Sequence, residues 1–405
     1  MGPERLVNRL YKKNGPSRSS TNRVPFMFAK RAAEIPPFIV MDVLETAQAM
    51  ERDVADIIHL EVGEPDFDTP QCIKDACDSA MRGGKTHYTH SLGLIELREA
   101  ICDHYQKRYG VAVSPDQVLV TSGTSPAMMI LFSTLLQGGS EVIISDPHYA
   151  CYPNFIRFFE GSPVCVPVDE CDGFQYTPEA IREKISPRTR AILINSPSNP
   201  TGNLLSRERM GQVASLGIPI ISDEIYHGLV YEEEEHSILE FTDNAFVLNG
   251  FSKAYAMTGW RLGYLIAPRA YIRPMQKIQQ NLFISPNAFV QWAGVAALRE
   301  AGPDVLRMRS IYNERRKYII GRLRELGLGI CVEPTGAFYI LGNIKSFSQD
   351  SYQTAFDILK RVHVGVAPGI DFGRNCEGYL RFCYANSLEN IREGMDRLAR
   401  YLQER

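Results

Sequence analysis

At 405 residues, 44% hydrophobic and 22% charged, the chain has the composition of a globular protein with a large core and, by length, two domains. A net charge of -3 and a pI near 6.3 argue against a nucleic-acid or anionic-membrane partner, and no apolar run approaches a membrane span. Nine scattered cysteines without a CxxC pair read as reduced, mostly buried thiols, not as a disulfide framework or zinc site, so a cytoplasmic location and no metal are expected.

The N-terminus departs from that average. Arg5, Arg9, Lys12, Lys13, Arg18, Arg23, Lys30 and Arg31 stand against a single Glu4, around a Ser- and Asn-containing patch at 17–22. The stretch lacks the apolar core of a secretory signal. Residues 1–33 are read as a basic, flexible leader, with an organellar transit segment as the alternative.

Beyond a Pro36-Pro37 pair, an amphipathic helix is expected before Ile58, with Val43, Leu44, Ala47 and Met50 on one stripe. Residues 60–70 read as a short strand breaking into a Gly/Pro loop. Helices follow over 70–82 and 94–109, the second with Leu97, Ile101 and Tyr105 in phase. The pattern then becomes strand, loop, helix, with strands predicted at 118–120, 141–145, 190–195, 218–222 and 245–248. Such alternation implies an α/β fold with a mostly parallel sheet flanked by helices, whose ligands collect at the carboxyl ends of the strands. From about Pro303 the texture changes: a charged helix over 305–326, a strand at 336–341, a helix to Arg361, a strand at 379–383 and a final helix from Ser387. These form an expected α+β small domain of residues 34–60 plus 300–405, beside a large domain of 61–299.

Several strand ends carry polar residues that a plain loop does not need. Lys253 lies in Asn249–Tyr264, with no other charge between Asp243 and Arg261; burial of such a lysine lowers its pKa and makes the amine a nucleophile. Arg261 offers a planar fork for phosphate. Ser122, Gly123, Thr124 and Ser125 open a helix with free amides and hydroxyls, which suits a phosphate dianion, although ordinary N-capping uses the same residues. Asp223 follows an apolar strand, where a carboxylate wants a fixed cation or simply caps the next helix. Asn199 lies in a Pro/Gly turn, and Tyr149 after Asp146-Pro-His148 can stack on a flat ring or merely pack. Arg381, alone in the apolar strand around Leu380 and Phe382, calls for a carboxylate. A nucleophilic lysine, a carboxylate for a ring nitrogen, a phosphate cradle, an aromatic platform and a carboxylate-binding arginine are together what pyridoxal 5'-phosphate requires.

The ordered motifs Gly63-Glu-Pro-Asp-Phe67, Thr121–Ser125, Asp146–Tyr149, Asn195–Gly202, Ser222–Tyr226, Phe251–Tyr264 and Tyr379–Ala385 resemble those of class I aminotransferases, aspartate aminotransferase-like enzymes of fold-type-I pyridoxal phosphate proteins. The resemblance runs from about Ile35 to the C-terminus. It implies that Lys253 binds the cofactor covalently and shuttles the proton, that Asp223 pairs with the ring nitrogen, and that Tyr226 and Asn199 reach the ring hydroxyl. It places Tyr149 against the ring and Gly123, Thr124, Ser125, Ser252 and Arg261 around the phosphate. Arg381, Asn199 and the backbone of Gly63 would hold the substrate carboxylate. Tyr88 would reach the phosphate of a neighbouring subunit, which implies a homodimer with shared sites. The implied reaction is ping-pong transfer of an amino group from an L-amino acid to a 2-oxo acid such as 2-oxoglutarate.

Three departures bear on substrate. Gly250 stands three residues before the lysine, where the family often has a phosphate-binding serine; Ser125 stands where some acidic-substrate relatives have lysine; and Asn281–Pro286 offers no arginine for a side-chain carboxylate. An alternative on the same scaffold is a carbon–sulfur lyase or another elimination enzyme. A cofactor-sensing regulator would need a DNA-binding domain ahead of Ile35, for which the leader is too short. A metal site on His87 and His90 lacks a completing ligand.

Overall fold

In a computed structural model, the structure describes residues 28–53 and 56–404. They fall into two units. The first ends at Ile35 and contains a short helix, Lys30–Glu34; the rest of the expected leader, 1–27, lies outside the described residues. The second unit is Pro36–Arg405.

A seven-stranded sheet dominates that second unit. Its strands are β2 (Val118–Thr121), β3 (Glu141–Asp146), β4 (Ser162–Pro167), β5 (Thr189–Asn195), β6 (Ile220–Asp223), β7 (Ala245–Gly250) and β8 (Gly263–Ile266), in the order β2-β8-β7-β6-β5-β3-β4. Only β8 runs against its neighbours β2 and β7. The other pairings are parallel, as the alternating pattern predicts. β4 and β8 have no counterpart in the predicted strands. β4 begins and ends beside prolines and forms a sheet edge, the place where proline is tolerated.

Side chains alternate across the sheet and feed two cores. Val118, Val120, Ile143, Ile192, Ile194, Ile220 and Val247 pack beneath helices Gln71–Arg82, Ile95–Tyr109 and Ala288–Glu300. Leu119, Val142, Ile144, Leu193, Ile221, Phe246 and Leu248 face the opposite layer, with helices Thr124–Leu135, Tyr152–Phe158 and Arg269–Leu282. Each fully buried Leu, Ile or Val contributes about 1.5–3 kcal/mol, which is why near-continuous apolar strands read as central ones.

A second, antiparallel sheet has the order β11-β12-β9, formed by β9 (Tyr339–Asn343), β11 (Ala367–Pro368) and β12 (Tyr379–Cys383). β1 (Ile58–His59) pairs in parallel with β10 (Val364–Gly365), two residues earlier than the strand expected from Leu60. A third core joins β1, β9, β10 and β12 to helices Gly302–Glu325, Ser351–Val362 and Leu388–Gln403. The thiols correct one expectation: of nine cysteines only Cys77, Cys376 and Cys383 are buried, while Cys165, Cys171 and Cys331 are exposed.

Candidate active site

The carboxyl ends of β2, β5, β6 and β7 open onto one cavity of about 390 Å³, and residues of β9 and β12 close it. Loops leaving parallel strands must turn there, so polar residues can occupy those ends without breaking the ladder.

Asp223 is the last residue of β6 and is buried. Its Oδ2 accepts a hydrogen bond from the Tyr152 hydroxyl at 2.7 Å, and its Oδ1 accepts one from the Ile225 amide at 3.2 Å. Burial outweighs both bonds and pushes the carboxyl up to about 6. Glu224 is held elsewhere, accepting from Tyr105 Oη at 3.0 Å, Ser237 Oγ at 2.9 Å and the Ile238 amide at 3.0 Å. These bonds anchor the strand end beside Asp223.

Lys253 follows β7 by three residues, and its Nζ donates to the Gly63 carbonyl at 2.6 Å. Desolvation brings its pKa down to about 8. More of this amine is therefore unprotonated near neutral pH than for an ordinary lysine.

Arg381 occupies the centre of β12, the middle strand of its sheet, and is 2% exposed. Nη1 donates to Asn199 Oδ1 at 2.8 Å, and Nη2 donates to the Glu61 carbonyl. The guanidinium carbon lies 4.4 Å from the Tyr339 ring centroid and 4.7 Å from that of Phe372. Nε has no partner among the described residues, so a buried cation faces the cavity with hydrogen-bonding capacity to spare. Asn199 is itself fixed: its amide donates to Asn195 Oδ1 at 2.8 Å, and Asn195 Nδ2 donates to the Asp223 carbonyl at 2.9 Å.

Thr124 and Ser125 line the cavity from the first turn of their helix, with Ser252 and Arg261 alongside. Arg261 Nη1 donates to the Thr258 carbonyl at 2.9 Å. Gly123 is the N-cap of that helix at φ +98°, and a Cβ there would lie 2.7 Å from Arg261 Nη2. A helix N-terminus, three hydroxyls and a guanidinium thus meet where only glycine leaves room, a donor set suited to a phosphate dianion. With the desolvated Lys253 amine and the buried Asp223 carboxyl in the same cavity, the residues present fit pyridoxal phosphate.

Tyr149 and Tyr226 also line the cavity; the hydroxyls of Tyr226 and Tyr339 are 2.8 Å apart, and the Tyr149 ring meets Tyr152 edge-on at 5.2 Å. Gly63 is there through its backbone. Tyr88 is the one predicted site residue set apart, 81% exposed at the surface.

Sequence reasoning missed Tyr152, Asn195 and Tyr339. Tyr152 lies three residues after Tyr149, at the start of helix Tyr152–Phe158, a spacing that could have flagged it. Asn195 opens the very motif that contains Asn199, and Tyr339 hides in an apolar strand. Also missed was the apolar wall of Phe38, Val40, Met41 and Leu44 from helix Ile39–Arg52 and the residue before it. Asp371 pins that helix, accepting from the amides of Ile39 and Val40, each at 3.1 Å.

Residues 55–398 match the family model for aminotransferase class I and II. The (5-formylfuran-3-yl)methyl phosphate transaminase of Methanocaldococcus jannaschii is 42% identical over 383 residues, 93% of this chain and all of that protein. The aspartate/prephenate aminotransferase of Thermus thermophilus is 37% identical over 382 residues, 92% of this chain and 98% of its own. The solved structure of Thermus thermophilus aspartate aminotransferase with maleate superposes with a TM-score of 0.89 at 36% identity, covering 92% of this chain and 99% of that one. These relatives favour transamination over the lyase alternative. With this fold and this cavity, the chain belongs to the class I and II aminotransferases and is a pyridoxal 5'-phosphate-dependent aminotransferase.

Proposed function

We propose that the protein transfers the amino group of an L-amino acid to a 2-oxo acid, with 2-oxoglutarate as acceptor, in two half-reactions that share one site. The observation that carries this reading is the convergence of the Lys253 amine, the Asp223 carboxyl and the incompletely partnered Arg381 on a single cavity. When bound, pyridoxal phosphate supplies a carbonyl for the amine and a ring that accepts electrons.

The chain's own residues do the rest. Arg381 grips the α-carboxylate through its fork, oriented by Asn199 and by the faces of Tyr339 and Phe372. That grip presents the substrate α-carbon to Lys253 Nζ, which takes the proton as free amine and returns it one step later. Asp223, held by Tyr152, would be ionised beside the ring nitrogen of bound cofactor, because a cation at that point offsets the effect of burial that raises its pKa. Thr124, Ser125, Ser252, Arg261 and the Gly123 turn hold the phosphate. Tyr149 supports the ring, and Tyr226 and Asn199 its hydroxyl.

The apolar wall of Phe38, Val40, Met41 and Leu44 supports a donor side chain that is not acidic. The exposed Tyr88 supports a homodimer in which it completes the partner's phosphate site. Residues 34–60 with 300–405, and 61–299, are proposed as the small and large domains, and the cytoplasm as the location. No described helix is long and apolar enough to cross a membrane.

Absorbance of the purified protein tests the reading as single amino acids are added without a 2-oxo acid. Bleaching of the visible cofactor band by an amino acid, and its restoration by 2-oxoglutarate, is the expected result. Bleaching with release of ammonia, and no restoration by any 2-oxo acid, would replace transfer with elimination.

A further inference from the structure

Away from the active site, two thiols meet across 160 residues of sequence. Cys171 lies in the turn Glu170–Asp172 after β4, and Cys331 in the loop between helix Gly302–Glu325 and β9. Their sulfurs are 2.7 Å apart, and both residues are exposed. The turn is fixed from both sides: Asp169 Oδ1 accepts from the Cys171 amide at 2.7 Å, and Glu170 accepts from Asn343 Nδ2 at 3.0 Å.

Two chemistries compete for such a pair. Glu170 offers an oxygen within 4.8 Å of both sulfurs, which makes a metal conceivable. Two thiolates on one tetrahedral zinc, each about 2.3 Å from the ion, stand roughly 3.7 Å apart. Disulfide sulfurs stand about 2.05 Å apart. The observed separation is too short for a shared metal, and Glu170 is already engaged by Asn343, so the geometry favours the covalent pair.

We propose that Cys171 and Cys331 are a reversible intrachain disulfide site, closed by a small-molecule disulfide such as oxidised glutathione. One of the two thiolates attacks one sulfur of the oxidant and expels one glutathione thiolate. The other thiolate then attacks the protein sulfur of the mixed disulfide and expels the second. Two protein thiols are oxidised, one glutathione disulfide is reduced to two thiols, and the two protons pass to the leaving thiolates. Either thiol can take the first step, because either sulfur can donate the hydrogen bond between them. The bond ties the turn after β4 to the loop that leads into Tyr339.

The holoenzyme is incubated with oxidised glutathione, remaining thiols are alkylated, and peptides are mapped by mass spectrometry without reduction. The expected result is one cross-linked Cys171–Cys331 peptide pair in a chain of monomer mass, released by dithiothreitol. Cys331→Ser should instead keep a glutathione adduct on Cys171. Separate adducts or free thiols at both wild-type positions, with no cross-linked peptide, would overturn the proposal. So would stoichiometric zinc in the purified protein that Cys331→Ser abolishes and that blocks cross-linking.

Discussion

Arg381 Nη1 donates to Asn199 Oδ1 at 2.8 Å, so a strand of the smaller sheet and a loop of the larger one are joined at the point where the substrate carboxylate is proposed to bind. Arg381→Ala removes a buried charged donor, a loss of about 2–5 kcal/mol when its partner is a carboxylate. KM for the amino-acid donor should rise thirtyfold or more, as an order of magnitude, while the visible spectrum of bound cofactor stays intact. Asn199→Ala should cost less, about 1 kcal/mol. Steady-state kinetics with the absorbance spectrum decide the matter: loss of cofactor from Arg381→Ala would move that arginine to the phosphate.

The pKa of Lys253 predicts a pH signature in the cofactor-free protein. Its folded value of about 8 lies below the ordinary 10.5. Between those values the folded chain binds fewer protons than the unfolded one, so the lysine's penalty is full below pH 8 and fades as pH rises to 10.5. Lys253→Met should therefore stabilise the apoprotein at pH 7, by up to about 3 kcal/mol, with the gain shrinking across that window. The variant should also fold yet show no visible band with added cofactor. Tm measured against pH for both proteins checks this; a pH-independent gap would mean that the ammonium pays no burial cost.

Tyr152→Phe deletes the hydroxyl that holds Asp223 and favours its ionised form. The carboxyl pKa should climb further, which weakens the counter-charge offered to the ring nitrogen. A net hydrogen bond of about 1 kcal/mol corresponds to roughly a fivefold fall in kcat, with KM nearly unchanged. A kcat equal to wild type would reduce Tyr152 to packing.

Gly123→Ala forces a Cβ toward Arg261 Nη2 at a backbone φ that L side chains rarely adopt. Strain of that kind costs of order 1–3 kcal/mol, so cofactor affinity should fall about tenfold or more by equilibrium dialysis. Unchanged affinity would remove this turn from the phosphate site.

Asp371→Ala leaves the Ile39 and Val40 amides without their acceptor and frees the start of the helix that bears the apolar wall. An unsatisfied donor costs about 1–3 kcal/mol. KM for the best donor should rise, with less effect on a small donor such as alanine. Equal effects on both would show that Asp371 supports the fold and not the wall.

Much of the molecule is written locally. Leu97, Ile101 and Tyr105 recur at helical spacing and are all buried. The apolar runs at 190–195, 218–222 and 245–248 became β5, β6 and β7 in a parallel sheet, because a strand buried on both faces has no polar side. Asp223, Lys253 and Arg381 stood out for a related reason: a charge in apolar surroundings is costly unless something meets it. The sequence alone thus determined five of the seven strands of the sheet, the family motifs and 11 of the 23 residues that line the cavity.

What lay beyond it depended on partners far along the chain. β8 is four residues that become a strand only by pairing between β2 and β7, and β4 only by adding to the edge of β3. Periodicity marks which face of helix Ile39–Arg52 is apolar, but not that its start faces the cavity or that Asp371 holds it there. Tyr152 meets Asp223, and Cys171 meets Cys331, through the order of strands and the closure of loops. Such contacts arise when burial of the whole apolar surface fixes one packing. No local pattern encodes them, and tertiary structure alone decided them.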